Sequence, residues 1–125
     1  MKIIINTNNA PAPIGPYNQA VKVGNMLYTS GQIAIDPVSG KLKNSDIIEE
    51  TNLVMANIAA ILEEAGMNFS NVVKCTIFIK NMDQFSEINE VYGNYFSENA
   101  PARETVEVAR LPKDVNIEIS VIAAE

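Results

Sequence analysis

"SDIIEETNLVMANIAAILEEAG", residues 45–66, is followed a few residues later by "VVKCTIFIK", residues 72–80. In the first stretch Ile47, Thr51, Val54, Ile58, Ile61 and Ala65 recur at spacings of three and four, which predicts a helix with one buried stripe. Ser45 or Asp46 can cap its start, and Gly66 is placed to end it. The second stretch alternates Val73, Cys75, Ile77 and Ile79 with Lys74, Thr76, Phe78 and Lys80. That is the period of a strand, with both faces rather apolar. A helix feeding a strand of this kind asks for a sheet with helical cover.

Working outward, "DQFSEINEVYGNYFSE", residues 83–98, predicts a second helix. Its stripe is Phe85, Ile88, Tyr92 and Tyr95, its cap Asp83, and its interior Gly93 costs about 1 kcal/mol relative to Ala. Thr105–Arg110 and Asn116–Ala123 read as strands separated by "LPKD". On the other side, Val21–Val23 and Met26–Ser30 form a hairpin through Gly24-Asn25, a pair suited to a type II′ turn. Gln32–Ile35 reads as another short strand, and "DPVSGK" as a loop. The opening "MKIIINTNNAPAP" carries an apolar patch too short for a secretory segment or a membrane span.

The order β-β-β-α-β-α-β-β predicts one α+β domain over residues 1–125, a mixed six-stranded sheet with two helices on one face. The other face, with Phe78, Val106 and Ile122 as candidates, is too apolar to stay in water, so self-association is expected.

Composition narrows the chemistry. The 125 residues carry a net charge of −6, and the 9 basic residues form no run, which disfavours nucleic acid as a partner. There is no histidine, which removes His-based acid–base and nucleophile chemistry and the usual His-containing metal sites. The single cysteine, Cys75, allows no internal disulfide; its apolar neighbours place it in the core, and a reducing cytosolic setting is expected. No glycine-rich phosphate loop or metal-ligand cluster is present, so neither a cofactor nor a metal is expected.

Arg103 and Glu118 are the residues that could carry chemistry. Should Thr105–Arg110 pair antiparallel with Asn116–Val121, the two come near one end of the sheet. "NIEIS" places Ile117, Ile119 and Val121 on one face and Glu118 with Ser120 on the other, and a carboxylate within an apolar strand is wet, paired or functional. A structural ion pair is the commoner use of such residues. The sharper alternative has Arg103 grip a carboxylate-bearing ligand while Glu118 manages water or a proton. Tyr17, Ser30-Gly31 and Asn89 are further polar candidates, each with an ordinary structural role open to it.

"APIGPYNQAV", "LYTSGQIAIDPVSGK", "VVKCTIFIKNMDQFSEINEVY" and "PARETVEVARLPKDVNIEI", in this order, resemble the Rid (YjgF-type) family, in particular its RidA-like imine deaminases. The resemblance runs nearly end to end. It implies a chorismate-mutase-like fold, a homotrimer joined through the bare sheet faces, and active sites in clefts between subunits. It implies cofactor-free hydrolysis of 2-imino acids and their enamines, such as 2-aminoacrylate and 2-iminobutanoate, to 2-keto acids and ammonia. By the same resemblance Arg103 binds the substrate carboxylate and Glu118 holds the attacking water. Tyr17, Ser30, Gly31 and Asn89 line the pocket, and Thr105, where relatives often carry Cys, contacts substrate through its backbone. Glu104 falls outside the site if the strand has already begun there. The rival expectation is a non-catalytic trimer that binds small keto acids. An RNA-directed role, proposed for some relatives, is disfavoured by the acidic composition.

Overall fold

In the computed structural model, which describes residues 1–125, the first helix is α1, Ile47–Glu64. Of the two candidate caps Asp46 serves: its Oδ1 accepts from Ile48 N at 3.0 Å. Gly66 follows the helix at φ 74°, a left-handed conformation that a side chain would strain. The strand after it is β4, Val72–Ile79. The remaining elements are β1 (Lys2–Ile5), β2 (Ala20–Val23), β3 (Met26–Thr29), α2 (Phe85–Gly93), β5 (Ala102–Glu107) and β6 (Ile117–Ala124). They form a single α+β domain whose mixed sheet runs β1-β2-β3-β6-β4-β5. Every neighbouring pair is antiparallel except β4 and β5, which α2 connects as a parallel crossover. No helix is long and apolar enough to cross a membrane.

Period-2 alternation decides which side of the sheet each residue meets. Cys75, Ile77 and Ile79 of β4 and Ile117, Ile119 and Val121 of β6 are buried under Val54, Ile58, Ile61 and Leu62 of α1 and Ile88 and Tyr92 of α2. Each buried Ile or Leu contributes about 1.5–3 kcal/mol, so this helical face holds the fold together. The alternate residues, Tyr28, Phe78, Val106 and Ile122 among them, face away from both helices and are only half-buried or exposed. The bare apolar face expected from the sequence is present.

Four expectations are corrected. Gln32–Ile35 is not a strand: it touches its neighbours only at isolated bridges, Gln32 to Ile119 and Ile35 to Leu42. Its carbonyls at Ile33 and Ile35 are taken by the buried Asn57 amide, not by a ladder. The sixth strand is β1, whose "KIII" pairs with β2. The second helix is shorter than residues 83–98. Its lead-in turn is capped by Asn81, whose side chain accepts from Asp83 N, and Gly93 lies at its end, where it costs little. Finally, Thr105–Arg110 does not pair with Asn116–Val121. The last-but-one strand starts earlier, at Ala102, and runs parallel to β4 at the sheet edge, while β6 fills the gap between β3 and β4. β5 carries Arg103, Glu104 and Glu107, charges that suit an edge, whereas β6 is apolar enough for the middle. The Gly24-Asn25 turn stands as expected: Gly24 adopts φ 60° and joins Val23 directly to Met26 across the hairpin.

Candidate active site

Arg103 is opposite Cys75 in the parallel ladder, so its side chain leaves the sheet on the helical side. There Nη1 donates to Asn89 Oδ1 of α2 at 2.7 Å, and the guanidinium carbon lies 4.8 Å from the Tyr92 ring centroid and 5.6 Å from that of Phe85. One helix thus supplies an acceptor and two aromatic faces that fix the plane of the fork. No carboxylate bridges it; the ion pairs of the chain are Lys22–Glu125, Lys74–Glu104 and Arg110–Asp114. Thr105, two residues on, shares this side, and its buried Oγ1 has no hydrogen-bond partner; neither has the buried Tyr92 hydroxyl. Burial pushes both the Tyr92 phenol and the Cys75 thiol up, leaving Arg103 the charge of this corner. Glu104 points the other way, as expected, to Thr76 Oγ1 at 2.6 Å and Lys74 Nζ at 3.0 Å.

Glu118 follows Ile117 into β6, and because Ile117 and Ile119 enter the core it projects from the bare side. The chain leaving β3 passes directly over it: a Cβ built on Gly31 would come within 2.7 Å of Glu118 Cδ. Gly31 is required here for space and not for a left-handed backbone. Half-buried, and making no hydrogen bond or ion pair of its own, the Glu118 carboxyl is pushed up by desolvation alone. It faces a cavity of about 110 Å³ whose walls include Ile14, Tyr17, Ile33 and Pro112.

Two polar corners therefore exist, and one chain does not join them. Arg103 aligns with Cys75 and Cys75 with Val121, three residues beyond Glu118, which puts the two Cα atoms roughly 14 Å apart with side chains on opposite faces. The expected approach of Arg103 and Glu118 within one sheet end fails because β4 lies between their strands.

Residues 7–125 match the family described as Endoribonuclease L-PSP. A RutC family protein of Pyrococcus horikoshii is 54% identical over 98% of this chain and 98% of its own. A 2-iminobutanoate/2-iminopropanoate deaminase of Capra hircus is 46% identical over 98% of this chain and 89% of its own. Among solved structures, E. coli TdcF with bound serine superposes with a TM-score of 0.95 at 42% identity, covering 98% of each chain. The chain belongs to the Endoribonuclease L-PSP (YjgF/Rid) family.

In this Rid-family chain the candidates from sequence fall into two sets. Arg103, Asn89 and Thr105 gather at the edge of the helical side; Tyr17, Gly31 and Glu118 gather around the cavity on the bare side. Ser30 lies beside the second set, its hydroxyl spent on Asn18 O at 2.6 Å. Asn89 is no bystander, since it orients the arginine. Four contributors escaped the sequence reading. Phe85 and Tyr92 passed as core aromatics. Buried Gln19 ties down Thr7, Ala10 and Pro11 through Nε2, and Asn57 holds Ile33 and Ile35, so both fix cavity walls. Asn57 had a signal, a polar residue directly before Ile58 of the buried stripe; Gln19 had none. No three Cys, Asp or Glu side chains gather as a metal ion would need. What the two corners offer is anion binding at one and water or proton handling at the other.

Proposed function

We propose that this protein is a cofactor-free hydrolytic deaminase of small 2-imino acids, assembled as a homotrimer in which Arg103 of one subunit meets Glu118 of the partner subunit. The observation that carries this is the pair of incomplete corners: a preset guanidinium with no counter-ion, and a half-buried carboxyl with no partner. Each is costly or idle alone, and a substrate bearing a carboxylate at one end and an iminium carbon at the other uses both. The name of the goat relative and the serine held by E. coli TdcF support the substrate class. The scattered basic residues and absent histidine give no support to RNA cleavage.

In the reaction so framed, Arg103 takes the substrate carboxylate in a fork and so fixes the iminium carbon. A water held by Glu118 of the partner subunit adds to that carbon as its proton passes to the carboxylate. The proton moves on to the amine nitrogen, and the C–N bond breaks as the carbinolamine hydroxyl gives its proton back to the carboxylate and the keto acid forms; the carboxyl then passes that proton to the departing ammonia, which leaves as ammonium. A carboxyl with a raised pKa suits both halves of this transfer. A protonated imine is already electrophilic, so placement does most of the work.

The test is imine trapping by semicarbazide in a serine or threonine dehydratase reaction. Wild type is expected to outcompete the trap. Arg103→Ala loses about 2–4 kcal/mol of transition-state binding and does not. Glu118→Gln separates turnover from binding: it keeps affinity for a small keto acid and loses hydrolysis. Equal trapping with wild type and without it, alongside keto-acid binding through Arg103, replaces the enzyme with a carboxylate-binding protein.

A further inference from the structure

Glu50 is the one charged side chain with no exposed surface, and the proposed reaction does not use it. It stands in the first turn of α1, across the sheet from Glu118. Its Oε2 accepts from Asn116 N at 2.8 Å and its Oε1 from Asn116 Nδ2 at 2.7 Å; Ile117 N–H also points to it. Every polar group that meets this carboxylate is an N–H donor at the entrance of β6. Burying a charge is expensive, and an apolar side chain of similar volume fills a core as well, so the carboxylate implies a task beyond filling space.

The segment it holds is strained. Between Arg110 and Asn116 the chain passes through Lys113 at φ 54° and Asp114 at φ 56°, two consecutive non-glycine residues in the left-handed region. Such a turn persists only where its surroundings over-determine it. Leu111 and Val115 are buried at its two ends, and Arg110 clamps Asp114 through two hydrogen bonds of 2.7 and 3.2 Å. Glu50 anchors the exit. The residues so fixed include cavity walls, Pro112 and Lys113 on the turn and Glu118 two residues past Asn116. We infer that Glu50 is a positioning residue: by anchoring Asn116 and Ile117 from the far side of the sheet it sets where Glu118 stands in its cavity. The kinetic consequence rests on the deaminase reading; the geometric one does not.

Two variants separate reach from charge. Glu50→Asp keeps the charge and withdraws the carboxylate by about 1.5 Å. Glu50→Gln keeps the reach: Oε1 still accepts the Asn116 N–H, and the Asn116 amide turns over so that its Oδ1 accepts from Gln Nε2, giving up only its 3.3 Å bond to Asn44 O. Steady-state kinetics on the folded proteins are expected to show kcat reduced on the order of tenfold to a hundredfold in Glu50→Asp, with KM unchanged because Arg103 is untouched. Glu50→Gln restores kcat to within about threefold of wild type. In parallel, a carbon-13 titration of the Glu118 carboxyl is expected to move towards ordinary glutamate in Glu50→Asp and to stay raised in Glu50→Gln. Unchanged kcat and midpoint in folded Glu50→Asp overturn the inference, as does equal loss in both variants. A moved midpoint in a protein without turnover leaves the positioning role standing and removes the deaminase. If Glu50→Asp does not fold, Asn116→Ala, which deletes the Nδ2 bonds to Glu50 and to Asn44 O and leaves the backbone N–H on Glu50, gives the same pair of readings: a shifted midpoint sustains the inference and an unshifted one ends it.

Discussion

A carboxyl flanked by Ile117 and Ile119, with Gly31 pressed against it and no hydrogen bond or ion pair of its own, keeps its proton more firmly than an exposed glutamate. The folded pKa of Glu118 lies above the ordinary 4.5, so between those two values the folded state holds the extra proton and stability falls as pH rises; above the folded value the penalty is constant. Glu50 is also raised, mainly by burial, and acts in the same direction. Asp36, Glu104 and Asp114, lowered chiefly by the hydrogen bonds they accept, act oppositely: their stabilisation is lost as pH falls through their depressed values. Glu118→Gln therefore raises the melting temperature at neutral pH and flattens, without abolishing, the decline above pH 4.5. Melting curves across that range check it; a lower melting temperature at pH 7 would show that the carboxylate has a stabilising partner after all.

The segment from Ser30 to Ile35 shows what sequence periodicity misses. Ile33 and Ile35 alternate as in a strand, yet only Gln32 bonds to β6, and Asn57 takes the carbonyls that a neighbouring strand would claim. Running free of the ladder lets the chain ride over β6 at Gly31, close enough to confine Glu118. Gly31→Ala is expected to keep the fold, since no positive φ is involved, and to cut turnover on the order of a hundredfold by displacing the carboxylate. Retained kcat in the folded variant removes the close approach from the account. The long periodic elements α1, β4 and β6 were legible because each buries one face against a single core. "KIII" of β1 hid because it has no alternation, and its Ile3 and Ile4 remain exposed. The pairing of β5 was misread because "LPKD" looks like a hairpin loop. No rule of composition announces that Lys113 and Asp114 both turn left-handed. Arg103 and Glu118 stood out in the sequence as the residues that could carry chemistry, and the family resemblance gave them their roles, while the faces they point to depend on strand order, which the sequence does not display.

At the scale of the molecule, the sheet has one face covered by α1 and α2 and one bare. Tyr28, Phe78 and Ile122 stand partly exposed on the bare face, in line with Glu118 and its cavity. The edge strand β5 carries Arg103 outward on the other side. A closed ring of identical subunits can bring the edge of one to the cavity of the next, which a single chain cannot do for itself. The central claim is that every active site takes its arginine from one subunit and its glutamate from another. The direct measurement mixes Arg103→Ala with Glu118→Gln in equal amounts, dissociates and reassembles them, confirms mixed assemblies by native mass spectrometry, and assays imine hydrolysis. Each variant alone is inactive. Random mixing pairs an intact Arg103 with an intact Glu118 at about a quarter of the interfaces, so about a quarter of wild-type activity is expected to return. Mixed assemblies that stay inactive would contradict the shared site.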